Sequence, residues 1–229
     1  MEDNTLQSLH EAESDDSTQR PNINRLMNCK EDLEELLFEY GNVLAPRIVE
    51  YEVERCEFPV EVLNEIRAIY AHIYRATVAT ADSDAKGNLH KAKSHSKRAV
   101  LDCYKYLCVT YDDRYHEFFK KFSYINWSKS GLIEDVVAVD EKRKTAVDLL
   151  RKAKTQESTE RFSGSNPTSD YRELYKSAYC EYIELMGMLM VLENKVLDGY
   201  TITSKFPAAV VTMVGIIGIA VGICLGLLL

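Results

Sequence analysis

Residues 84–122 read DAKGNLHKAKSHSKRAVLDCYKYLCVTYDDRYHEFFKKF, and this stretch decides the fold. Leu89, Ala92, Ala99, Leu101, Tyr104, Leu107, Tyr111, Tyr115, Phe118 and Phe122 return mostly at three- and four-residue steps, the spacing that keeps side chains on one face of an α-helix. No proline falls between Pro59 and Pro167, so nothing in the backbone chemistry interrupts it. The pattern predicts one very long helix beginning near Asp84.

On its N-terminal side the same periodicity predicts a helical region over 29–57, with Leu33, Leu36, Leu37, Tyr40, Val43 and Leu44 as its apolar positions. Pro46 lies inside that region and predicts a kink or break. Pro59 opens a second helix, where a missing N–H costs little, and Leu63, Ile66, Tyr70, Ile73 and Tyr74 form its stripe. Beyond the long helix, a fourth follows Gly131 with Leu132, Val136, Val139, Val147 and Leu150. The loop RFSGSNPTSD leads to a fifth at Asp170, which carries Tyr171, Leu174, Tyr175, Ala178, Tyr182, Leu185, Met186, Leu189, Leu192 and Val196. No stretch alternates convincingly enough for a strand. The expected fold is all-α: an antiparallel bundle of four to five helices, followed by one C-terminal transmembrane helix.

The membrane expectation rests on residues 207–229, which contain no charged side chain. At about 1.5 Å per residue they would span roughly 35 Å as a helix, enough for a hydrocarbon core of about 30 Å. The implied domain order is a disordered acidic tail over 1–26, a cytosolic helical bundle over 27–200, a linker over 201–206 and a transmembrane anchor over 207–229. The chain is then expected to be a single-pass, tail-anchored membrane protein with its N-terminal domain in the cytosol. Gly215, Gly218, Gly222 and Gly226 give the anchor a smooth strip on which a second copy of the helix can pack.

The net charge is −8, from 28 Lys and Arg against 36 Asp and Glu. Glu2, Asp3, Glu11, Glu13, Asp15 and Asp16, set against Arg20, concentrate most of it in the first twenty residues. Cys29, Cys56, Cys103, Cys108, Cys180 and Cys224 are scattered, without a CxxC pair or histidines at zinc spacing. They predict structural thiols in a reducing compartment, with neither a metal site nor a cofactor.

Two groups of residues are candidates for binding or chemistry. Lys86, His90, Lys91, Lys93, His95, Lys97 and Arg98 lie in a stretch with no acid between Asp84 and Asp102. On a helix they form a basic face suited to nucleic-acid phosphates, a nucleotide or anionic lipid head groups. The second group is in Glu65-Ile66-Arg67-Ala68-Ile69-Tyr70-Ala71-His72, where Arg67 is followed five residues later by His72. This spacing, with AKSHSKRAVLDCYKYL as a partner helix, resembles the HEPN superfamily of helical nucleotide-binding domains, which includes metal-independent ribonucleases. The resemblance implies a dimer in which Arg67 and His72 are catalytic, the Arg stabilising charge and the His moving protons at an RNA phosphodiester.

No phosphate-binding glycine loop, serine elbow or His-Glu-x-x-His pair occurs in the sequence. The reading that asks for least chemistry is an anchored interaction, sensing or effector module. It would bind the lipid bilayer and self-associate as a homo-oligomer, and a protein or nucleotide-like ligand would occupy the cytosolic part. The alternative is a membrane-tethered HEPN-type ribonuclease of the toxin or defence class, which would take RNA.

Overall fold

The structure, a computed structural model, describes residues 20–163 and 170–203. Regular structure among the described residues is entirely helical: α1 (Asn24–Met27), α2 (Lys30–Glu39), a π turn (Tyr40–Leu44), α3 (Ala45–Arg55), α4 (Val60–Val78), α5 (Asp82–Lys121), α6 (Trp127–Ser130), α7 (Ile133–Ser163) and α8 (Asp170–Thr203). The long helix is present as α5. Acids in its first turn (Asp82, Asp84) and bases in its last (Lys120, Lys121) oppose the charges of its macrodipole.

The chain divides into two compact units, residues 1–110 and 111–229, with the boundary inside α5. In the first unit α1 to α3 run in one direction, α4 returns, and the first part of α5 runs forward again. Three core layers record this order. Leu26 and Cys29 pack with Ala76, Ala85 and Leu89 at one end. Leu36 meets Ile69 and Ala92 in the middle. Leu44 and Ile48 meet Val62, Ala99 and Cys103 at the other end. Ala85, Ala92 and Ala99 recur every seven residues on α5 and are fully buried, and their small side chains let the other two helices approach closely.

The π turn solves a spacing problem. Leu36 and Leu44 are eight residues apart, one more than the seven that return a helix to the same face. The wider turn over Tyr40–Leu44 absorbs the extra residue, so both leucines are buried against α4 and α5. The interruption expected at Pro46 takes the form of this π turn, which separates α2 from α3. Pro46 sits in the first turn of α3, directly after the wide turn, where its missing N–H is tolerated. The helix ends at Cys56, whose backbone is left-handed and whose N–H bonds to the Glu52 carbonyl at 2.8 Å.

In the second unit the end of α5, α7 and α8 are tied together by polar bonds. Arg143 grips Asp112 with two nitrogens, at 2.9 and 3.2 Å, and Tyr182 donates to the same carboxylate at 3.1 Å. The antiparallel register of α7 and α8 is marked by Asp135 with Lys195 (2.8 Å), Lys142 with Glu181 (2.7 Å), and Tyr175 donating to Glu157 (2.7 Å). Val139, Ala146 and Ala153 of α7 and Tyr175, Ala178, Tyr182, Leu185, Leu189, Leu192 and Val196 of α8 are buried.

One expectation is corrected. Among the described residues no helix is long and apolar enough to cross a membrane. The helices α5, α7 and α8 have the length, but charged side chains recur along each of them. The single-span, tail-anchored reading and the membrane localisation therefore do not stand in this structure. The stretch that prompted them, 207–229, lies outside the described residues, and so does its strip of Gly215, Gly218, Gly222 and Gly226. The tail expected over 1–26 lies outside them up to residue 19, whereas Leu26 is already buried. Helix α8 continues through Thr203, into the segment expected to be a linker.

Candidate functional site

Helix α4 has three faces, and their chemistry follows from its sequence. Val62, Ile69 and Ala76 are buried and form the core face, with Ile66 and Ile73 packed beside them. Glu65 and His72 lie on a side turned towards α5. Val60, Leu63, Arg67, Tyr70 and Tyr74 follow at steps of three and four, within an arc of about 80°, on the side away from the core.

The side towards α5 is a polar seam. Glu65 lies 2.6 Å from Nδ1 of His95, and Asn88 lies 3.1 Å from Nδ1 of His72. The two imidazoles stack, with centroids 5.2 Å apart and planes at 24°. Two of the residues singled out by sequence, His72 and His95, thus come together although they were assigned to different groups. A carboxylate oxygen can only accept, so Nδ1 of His95 carries the proton in this bond. Among the described residues no group of His, Cys, Asp and Glu forms a metal site.

Arg67 is not part of this seam. It stands exposed on the outer row, about 140° around the helix from His72. The expected basic face is likewise divided by the fold. Lys93 turns inward to the carboxylates of Asp32 (3.1 Å) and Glu35, and the bond to Glu35 raises its pKa above the usual ammonium range. His95 belongs to the seam, while Lys86, His90, Lys91, Lys97 and Arg98 remain exposed. Lys91 faces Arg75 across a cleft of about 510 Å³ at the α4–α5 turn, which Thr80, Ser83, Gly87 and Asn88 also line.

No known protein family, curated protein or solved structure matches this chain.

The outer row of α4 was misassigned by periodicity, which put Leu63, Tyr70 and Tyr74 on the same stripe as Ile66 and Ile73. In the structure Val60, Leu63, Tyr70 and Tyr74 are 62%, 44%, 64% and 49% exposed. Four large apolar or aromatic residues around a single arginine on one helix have the composition of an interface centre rather than of a solvated surface. At the start of the helix, Glu61 accepts a bond from Tyr106, which lowers the Glu61 pKa; burial and that same bond push the Tyr106 phenol up.

Proposed function

We propose that this protein is a helical protein-binding module whose docking face is the outer row of α4. The exposed row of Val60, Leu63, Arg67, Tyr70 and Tyr74 carries the reading. Its four apolar or aromatic side chains provide area that gains free energy when removed from water, at roughly 25 cal/mol per Å². Tyrosine gives that area at low entropic cost because few bonds must be immobilised, and Arg67 supplies direction. The partner that fits is an acidic amphipathic segment, with apolar side chains along one edge and a carboxylate opposite Arg67. The three-layer core behind α4 keeps the row rigid, so little ordering cost falls on this side of the complex.

The reading is tested with the full-length protein and a synthetic amphipathic helix of Leu, Ala and Glu. Tyr70→Ala and Arg67→Glu should each weaken binding at least tenfold by isothermal titration calorimetry, and Lys144→Ala on α7 should leave it unchanged. Equal loss in all three variants, or no binding by the unaltered protein, would remove the assignment.

A further inference from the structure

Helix α8 is apolar on two opposite sides. Tyr182, Leu185, Leu189, Leu192 and Val196 are buried within the second unit. On the other side Ile183, Gly187, Met190, Asn194 and Leu197 follow at alternating steps of four and three, within an arc of about 80°. Ile183, Met190 and Leu197 are 41%, 62% and 49% exposed, and Val191, at the edge of the row, is 52% exposed. No charged residue interrupts this row, whereas a helix face that stays in water carries charged and polar side chains. Steps of four and three make up the seven-residue period with which one helix lies along another.

Two residues in the row indicate what lies along it. Glycine is a poor helix former, and nothing stands within 4 Å of the place a Cβ would take at Gly187, so the packing of the chain itself does not call for it. A second helix does, because a missing side chain lets two backbones approach. Asn194 is exposed among apolar neighbours. Its amide holds both donors and an acceptor, so it is complementary to a second asparagine, and a single Asn in an apolar seam fixes the register of two parallel helices. In a parallel pair every residue of the row meets its own counterpart. An antiparallel pair centred on Met190 sets Asn194 against Met186 instead, which leaves the amide without a partner. The acids along the edges do not oppose a second copy, since Glu184 is paired with Lys142 and Glu193 with Lys121 at 2.6 Å, and Asp198 follows the last residue of the row.

We propose that two copies of this chain pair through the outer row of α8, side by side and parallel, with Asn194 against Asn194. The contact runs from Ile183 to Leu197, about 21 Å along the helix. The row on α4 takes no part in it, so pairing and partner docking stand or fall separately.

The test uses the full-length protein. Sedimentation equilibrium should show a dimer. Met190→Glu and Leu197→Lys should each weaken it at least tenfold with the helical circular dichroism unchanged, and Lys144→Ala on α7 should leave it as it is. A protein that stays monomeric up to the limit of its solubility, or a dimer that survives both substitutions at α8, overturns the proposal. Direction is read with a nitroxide label on Cys180, one turn before the contact, in protein carrying Cys56→Ser and Cys224→Ser. Parallel helices lie about 8–10 Å apart, so double electron–electron resonance should give a label separation of roughly 10–20 Å. A separation of roughly 30 Å, twice the rise from Cys180 to Met190, would show antiparallel pairing and refute the match of Asn194 with itself.

Discussion

His72 and His95 lie ring on ring between α4 and α5, 5.2 Å apart, and each is held by a side-chain oxygen from the opposite helix. The pair joins two helices whose core contact is made by small and aliphatic residues and which are linked again by Tyr106 donating to Glu61. Because Glu65 and His95 are each about four-fifths buried at the side chain, their bond is shielded from water and from competing ions.

Removing the carboxylate should expose that dependence. Glu65→Ala is expected to cost about 1–3 kcal/mol, since the His95 N–H is left without its partner in a partly dry site. His90→Ala, on the exposed side of α5, should stay within about 0.5 kcal/mol of the unaltered protein. Urea denaturation followed by circular dichroism distinguishes the two, and equal effects would show that the seam contributes no more than the surface does.

Ser96 gives a prediction of opposite sign. It is fully buried on α5, one heptad after Leu89 and one before Cys103, and its hydroxyl has no hydrogen-bond partner. Ser96→Ala removes an unsatisfied polar atom at almost no change in shape, so it should stabilise the protein by about 1 kcal/mol. A loss of stability in the same denaturation experiment would refute this reading of the site.

The phenol of Tyr115 sets an alkaline limit. Burial first, and then its 3.1 Å bond to Asp140, push its pKa from the ordinary 10.0 up to about 12. The folded state therefore holds this proton more tightly than the unfolded chain does. The stability it contributes is complete below pH 10.0 and is lost as the pH rises towards about 12. Tyr115→Phe should flatten the fall in melting temperature across that window. It should not abolish it, because burial also raises Tyr51 and Tyr106. An unchanged slope would mean that Tyr115 ionises alike in both states.

Thiol chemistry checks the core of the first unit. Cys29, Cys103 and Cys108 are buried, whereas Cys56 and Cys180 are exposed, and burial pushes the Cys103 thiol up to about 12. With N-ethylmaleimide at neutral pH, peptides containing Cys56 and Cys180 should be modified in the native protein, and those containing Cys29, Cys103 and Cys108 only after denaturation. Rapid native labelling of Cys103 would contradict the layer it forms with Leu44 and Val62.

The helices were legible because their signals are local. The three- and four-residue steps of α5, the prolines at boundaries and the apolar positions of α8 each lie within one segment of sequence. The docking face was not legible for the converse reason. Helix α4 is apolar on two sides, Val62, Ile66, Ile69 and Ile73 on one and Val60, Leu63, Tyr70 and Tyr74 on the other, so periodicity blends them into one stripe. Nothing in the sequence says which side meets α5. The π turn was hidden in the same way, because the extra residue between Leu36 and Leu44 becomes visible only when both must reach the same core.

By itself, then, the sequence determined an all-helical chain, the extent of its long helix and the concentration of acid at its N-terminus, since backbone propensity, hydrophobic period and formal charge are properties of neighbouring residues. Tertiary structure decided that His72 meets His95, that Lys93 is consumed by Asp32 and Glu35, and that Arg67 stands outside among tyrosines. Each of these depends on which helix faces are brought together, and that choice is made by burying the most apolar surface across helices distant in sequence.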